Sequence, residues 1–133
     1  MQAKGIHHLG VAVEDLDEAV DTYERLFGAA LENRDLVETQ GVEAAAMRVG
    51  QSRVELVAPL ADDTPVGKFL AKRGPGMHHV AYEVTDLRRE LADLAEQGVQ
   101  VIDEPHRGLF GLEVAFIHPD STHGVLAELV ASG

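Results

Sequence analysis

The sequence contains no cysteine and few basic residues. The absence of cysteine excludes disulfides, thiolate metal ligands and a cysteine nucleophile. Eleven Lys and Arg against 23 Asp and Glu give a net charge of −12, which argues against a nucleic-acid or anionic-membrane binder. No apolar run approaches the roughly 20 residues that span a bilayer, and residues 1–5 lead into a strand-like segment without a signal-peptide core. We therefore expect a cytoplasmic protein with no nucleic-acid or membrane partner.

The chain of 133 residues repeats itself within what we interpret as a single domain, 1–133. Residues 6–13 match residues 77–84 at an offset of 71, and each segment carries a His-His pair, His7-His8 and His78-His79. Each half then ends in a short apolar strand that contains one glutamate. The His-His strand and the glutamate-containing strand both occur twice, at a similar spacing, which indicates a duplicated structural unit.

Each copy reads as a βαβββ module. Asp15 and Asp86 each precede a helical apolar stripe as a capping residue, and glycines end both helices. Strands are predicted near 30–37, 42–49 and 53–58 in module one, and near 99–103, 112–118 and 124–130 in module two. A short helix over about 64–73 connects the modules. The fold class is therefore predicted as α+β, with tandem modules at about 5–60 and 76–131.

Strand alternation separates the two histidines of each pair. His8 shares a face with Gly10 and Ala12, whereas His7 faces the side on which a helix would pack. His79 is likewise followed on its own face by Ala81. Small neighbours leave space for a ligand above the second histidine of each pair, and we interpret the first histidine as an ordinary core or surface residue.

The two strand glutamates, Glu55 and Glu128, lie in otherwise apolar segments. A carboxylate buried alone is costly, so each must be paired, protonated or metal-bound. Together with His8 and His79 they form a set of two nitrogen and two oxygen ligands that suits a divalent ion, with Zn, Co, Mn, Ni and Fe all open. The alternative is that these are ordinary strand residues, with an arginine such as Arg53 pairing with Glu55.

Several motifs together resemble the methylmalonyl-CoA epimerase family of the vicinal oxygen chelate superfamily. They comprise the two His-His strands, the Gln40-Gly41-Val42 turn, and residues 54–60, 65–70, 116–119 and 124–129. The resemblance implies a cupped, barrel-like mixed sheet around a central metal site. It places the metal ligands at His8, Glu55, His79 and Glu128, favours cobalt over zinc, manganese or nickel, and implies a homodimer.

The implied reaction interconverts 2R- and 2S-methylmalonyl-CoA by 1,1-proton transfer through a metal-stabilised enolate. Inversion requires an acid/base group on each face of the planar intermediate. Glu128 serves one face from its ligand position. Some relatives carry a glutamate for the other face where this chain has Ala44, so Glu43 becomes the candidate, although a regular strand directs it to the opposite side of the sheet.

Two departures from the family bear on acyl-CoA specificity. Asp120 stands where relatives usually have a lysine, and the loop over residues 107–111 lacks their polar residues. The same fold would also suit a glyoxalase I-like lyase acting on a thiol adduct, or a bleomycin-resistance-type protein that only binds its ligand. An extradiol dioxygenase fits less well, because its iron is usually held within one module. The four intact candidate ligands favour an enzyme.

Overall fold

The computed structural model describes residues 1–132, over which three α-helices and eight β-strands alternate. The helices are α1 (Leu16–Phe27), α2 (Pro65–Arg73) and α3 (Leu87–Glu96). The strands are β1 (Gly5–Ala12), β2 (Ala30–Val37), β3 (Val42–Val49), β4 (Ser52–Pro59), β5 (Gly76–Val84), β6 (His106–Arg107), β7 (Glu113–Ile117) and β8 (Ala127–Ala131). Short 3-10 helices occupy Glu38–Gln40 and Pro119–Thr122.

The strands form one mixed sheet in the order β2-β3-β4-β1-β5-β8-β7-β6. β1 pairs with β4 in parallel, as β5 does with β8, whereas β2-β3-β4 and β6-β7-β8 are antiparallel. The predicted α+β class and its mixed sheet are therefore confirmed. By compactness the chain divides into two units, Leu9–His78 and Met1–His8 together with His79 onward.

In the unit Leu9–His78, α1 packs on one face of β3 and β4. Asp15 begins the helix by accepting a hydrogen bond from the Glu18 N–H at 3.1 Å. A left-handed Gly28 ends it. Buried side chains from the helix and the two strands form the core: Leu16, Val20, Ala45, Met47 and Leu56. The predicted caps of this helix are confirmed, whereas the apolar stripe predicted along it extends too far, because Leu26 and Phe27 in its last turn are exposed.

The other unit repeats this plan, with α3 on β7 and β8. Asp86 accepts from the Arg89 N–H at 3.2 Å, and the core includes Val84, Leu87 and Leu129. The strand predicted near 99–103 is wrong, because only Val101 forms an isolated bridge there. Pro105 has no N–H and disfavours continued pairing, so the regular strand β6 begins after it.

None of the helices within residues 1–132 combines the length and the hydropathy that a membrane crossing requires.

An acidic side chain links two arginines on neighbouring strands. Arg48 and Arg53 are direct cross-strand partners on β3 and β4, and the Glu32 carboxylate lies 2.9 Å and 3.0 Å from their Nε atoms. The hydrogen bond from Arg48, with a further one from Arg53, lowers the pKa of Glu32. The carboxylate therefore offsets the repulsion that two facing guanidinium groups would otherwise have.

We predict that Glu32→Gln lowers the free energy of unfolding at pH 7 by up to about 1 kcal/mol, since the ion pairs are partly exposed. Because the pKa of Glu32 is lowered in the folded chain, its contribution is complete above the ordinary glutamate pKa of about 4.3. It is lost as the pH falls through the lowered value. Urea unfolding at neutral and acidic pH should show the two proteins converging in acid, and the exposed Glu96→Gln serves as control. A difference in unfolding free energy between wild type and Glu32→Gln that grows in acid would contradict the prediction.

Candidate functional site

In the unit that contains β5 and β8, strand register brings one histidine and one glutamate to the same face. Ala81 lies directly opposite Glu128 in the parallel pair. His79 precedes Ala81 by two residues, so the alternation of the strand puts His79 on that face as well. Both polar side chains are buried, with His79 2% and Glu128 3% exposed.

The parallel pair of β1 and β4 uses the same register. Gly10 lies opposite Glu55 in the parallel pair, and Ala46 of β3 lies opposite Glu55 on its other side. His8 precedes Gly10 by two residues on β1, as His79 precedes Ala81 on β5. Glu55 and His8 are also buried, at 4% and 3% exposure. The repeat in the sequence is therefore a repeat in strand register.

The ring nitrogens and carboxylate oxygens of these residues converge. His8 Nε2 lies 3.1 Å from His79 Nε2 and 3.0 Å from Glu128 Oε1. His79 Nε2 lies 3.5 Å from the same oxygen. One ligand atom from each of His8, Glu55, His79 and Glu128 lies within 4.8 Å of the others.

The donor set and its spacing fit a divalent ion. Ligand atoms about 2.1 Å from one ion lie roughly 3.0–3.4 Å from each other, which is close to the separations among His8, His79 and Glu128. Glu128 Oε1 is buried and makes no hydrogen bond within residues 1–132, although His8 Nε2 is 3.0 Å away. A cation would satisfy that oxygen and both nitrogens together.

Glu43 lies away from this group. It is opposite Ala58 in the register of β3 and β4, on the face that packs against α1, whereas Ala44 is on the face of Glu55. The Glu43 carboxylate accepts a hydrogen bond from Arg34 Nε at 3.1 Å, and this bond raises the pKa of Arg34. The register along β3 is regular at Glu43, so nothing there turns its side chain toward Glu55. Its acid/base assignment stays a prediction that its position does not favour.

The loop over residues 107–111 brings an aromatic ring to the histidines. The Phe110 ring lies 5.1 Å from that of His8 and 4.7 Å from that of His7, between ring centroids. The Arg107 guanidinium donates a hydrogen bond to the Gly111 carbonyl oxygen within the same loop. Asp120 is exposed, with its carboxylate 3.7 Å from His118 Nδ1. Sequence reasoning identified this loop only by the polar residues that it lacks.

Sequence reasoning also missed His7. Period-two alternation assigns His7 and His8 to opposite faces, yet their Nδ1 atoms are only 2.8 Å apart. His7 is 9% exposed. The available signal was the doublet itself, because a polar ring occupies a position where the strand pattern calls for an apolar one.

Comparison with known proteins adds independent observations. Residues 7–116 match the model of the glyoxalase/bleomycin resistance protein/dioxygenase superfamily. The chain is 41% identical over 125 residues to the uncharacterized protein YqjC of Bacillus subtilis, covering 93% of this chain and 89% of that protein. It is 35% identical over 126 residues to the mitochondrial methylmalonyl-CoA epimerase of Bos taurus, covering 93% of this chain and 72% of the other.

A solved structure is similar along nearly the whole chain. A Glu-to-Gln variant of the Streptomyces coelicolor methylmalonyl-CoA epimerase, in complex with 2-nitronate-propionyl-CoA, superposes with a TM-score of 0.92 at 39% identity. The match covers 97% of this chain and 97% of that chain. At this identity the likeness extends beyond the fold to the class of protein.

We predict that His79→Ala and Glu128→Ala each weaken Co²⁺ binding by more than about 100-fold, since each removes a ligand rather than an outer partner worth roughly 10–100-fold. Competition with a chromophoric chelator measures the affinity, and the wild-type chain should bind one equivalent. His118→Ala removes a histidine outside the group and should leave the affinity unchanged. Wild-type affinity in both ligand variants would contradict the assignment.

Proposed function

Because the chain belongs to the methylmalonyl-CoA epimerase family of the glyoxalase/bleomycin resistance protein/dioxygenase superfamily, we propose that it interconverts the 2R and 2S forms of methylmalonyl-CoA. The single observation that carries the proposal is the buried group of two imidazoles and two carboxylates within 4.8 Å. The epimerase is metal-dependent in this proposal, and the same four residues, His8, Glu55, His79 and Glu128, hold the ion.

The reaction exchanges a proton at the carbon between a thioester and a carboxylate. That proton is weakly acidic, so its removal at neutral pH needs stabilisation of the charge that develops on the thioester oxygen. A bound divalent ion supplies such stabilisation as a Lewis acid. The role of His8 and His79 is to hold the ion while remaining neutral themselves.

Glu128 is the proposed acid/base for one face of the substrate. Its Oε1 atom is buried, lies 3.0 Å from His8 Nε2 and 3.5 Å from His79 Nε2, and makes no hydrogen bond among the described residues. Burial also excludes bulk water, which favours transfer of the proton between substrate and carboxylate rather than to solvent. The same carboxylate returns a proton to this face in the reverse direction.

We propose Glu55 for the opposite face. Ala44 carries no acidic group at the position where some relatives have a glutamate, and Glu43 lies on the α1 side of the sheet with Arg34. Glu55 is then the second carboxylate of the buried group. Inversion requires proton donation to the face opposite that of removal, so two carboxylates are the smallest set that suffices.

The names of similar proteins support an acyl-CoA substrate. A solved relative is described in complex with methylmalonyl-CoA, at 38% identity over 97% of this chain. Asp120 and the apolar Phe110 mark the places where recognition of the acyl or CoA portion would differ from that of the relatives. We further propose cobalt as the native ion, a homodimer, and a cytoplasmic location.

The first test is wash-in of deuterium at C2 of methylmalonyl-CoA in D2O, with and without chelator. We expect exchange that EDTA stops and Co²⁺ restores. If the chain holds one equivalent of Co²⁺ and no exchange occurs, methylmalonyl-CoA is not the substrate, but the assignment of the metal ligands is unaffected. Hemithioacetals then test the glyoxalase-like alternative, and a metal content below about half an equivalent after reconstitution favours a ligand-binding protein.

The second test separates the roles of the glutamates. Glu55→Gln retains an oxygen ligand, so we expect it to keep metal but to lose epimerisation by about 100-fold or more, in line with the loss of a positioned acid/base. It should still exchange the α-proton of one epimer through Glu128. We expect Glu43→Gln to epimerise at close to the wild-type rate. The reverse result, with Glu43→Gln inactive and Glu55→Gln active, would restore Glu43 as the second acid/base.

A further inference from the structure

Next to the candidate metal ligands, two adjacent imidazoles share one hydrogen bond. The Nδ1 atoms of His7 and His8 are 2.8 Å apart and both rings are buried. A hydrogen bond between two ring nitrogens requires that one carries hydrogen and the other does not. The pair therefore couples the proton position on one ring to that on the other.

The geometry shows which nitrogen of His8 faces the ligand group. His8 Nε2 is the atom within 3.1 Å of His79 Nε2 and 3.0 Å of Glu128 Oε1. To bind a metal ion Nε2 must be free of hydrogen, and a neutral His8 then carries its hydrogen on Nδ1. That hydrogen points to His7, whose Nδ1 accepts it while its own hydrogen sits on Nε2.

Resting on the proposed metal site, we propose that His7 is a positioning residue that fixes His8 in its metal-binding tautomer and orientation. Metal-ligating histidines typically donate their other ring N–H to a carboxylate, carbonyl or water, and that partner raises metal affinity by about 10–100-fold. Here an imidazole from the preceding residue of the same strand supplies the acceptor.

Aromatic packing holds the two rings in this arrangement. Phe110 meets His7 edge to face at an interplanar angle of 84°, and it lies tilted by 33° against His8. His7 and His8 are themselves nearly perpendicular, at 79°. One ring from the 107–111 loop thus contacts both imidazoles of the hydrogen-bonded pair.

The second copy of the repeat provides a natural control. His78 precedes His79 as His7 precedes His8, but its ring packs against Phe69 of α2, with 5.0 Å between centroids. The positioning role is assigned to His7, whose Nδ1 lies 2.8 Å from that of His8. His78→Asn is the matched control variant.

The test compares His7→Leu with His7→Asn, using Co²⁺ and Zn²⁺ as probes. Leu and Asn are similar in size, but only Asn places an oxygen where His7 has Nδ1 and can accept from His8. We expect His7→Leu to weaken Co²⁺ binding by about 10–100-fold and to change the visible absorption spectrum of the bound ion. His7→Asn should restore both, and His78→Asn should leave both unchanged.

Nitrogen NMR of the Zn²⁺-loaded wild type gives a second readout, in which His8 should carry hydrogen on Nδ1. Equal Co²⁺ affinity and spectra for His7→Leu and wild type, or failure of Asn to restore them, overturns the role of His7 while the metal site stands. A wild-type chain that binds neither ion overturns both proposals. If His7→Leu does not fold, the comparison of His7→Asn with wild type and the NMR assignment decide the question.

Discussion

The cost of burying two carboxylates is the constraint on which the rest of the structure depends. Glu55 and Glu128 are each less than 5% exposed on strands whose other residues are mostly apolar. An isolated buried carboxylate is destabilising by several kcal/mol, and only cations or several hydrogen-bond donors offset that. The two nearby imidazoles supply nitrogens, and a divalent ion would satisfy nitrogens and oxygens together. Small side chains at Ala46 and Ala81 leave room for this group.

Parallel strand pairing makes the group possible. In each half a histidine and a glutamate are far apart in the sequence, yet one register places the glutamate two residues along from the histidine on the same face. A shift of one residue in either pair would turn the glutamate to the other face of the sheet. The apolar residues beside Glu55 and Glu128 oppose such a shift, because it would turn them away from the helix-packed core and toward the polar group. Core packing and ligand placement are thus specified by the same alternation.

Much of this was predictable from the sequence, and the exceptions have physical causes. The starts of α1 and α3 followed from Asp15 and Asp86 and the end of α1 from Gly28, because caps act locally, whereas the C-cap of α3 is Gln97. The strand expected near 99–103 failed because Pro105 interrupts pairing and the Asp103 carboxylate accepts from the Phe116 N–H instead. The family was confirmed by comparison. The metal, its ligands and the acid/base roles remain predictions that the grouped side chains support.

The contact between His7 and His8 lay beyond what periodicity can predict. Alternation describes where Cβ atoms point, whereas the separation of two ring nitrogens depends on side-chain torsions and on the Phe110 ring that packs against both. For Glu43, by contrast, alternation along the strand did predict the direction of the side chain. Its position followed correctly from alternation, and the structure adds Arg34 as its partner, which no pattern along β3 indicates.

The separation of the four grouped residues along the chain has a consequence for when a metal ion could bind to them. His8 and His79 are 71 residues apart, and Glu128 comes later still, so no contiguous segment holds the group. Closing such long loops is entropically unfavourable until the strands pair, which makes assembly of the group a late event in folding. A growing chain on the ribosome therefore has no complete site before β8 has emerged. Metal would be captured from solution by an already ordered chain, and would stabilise it through mass action rather than template its folding.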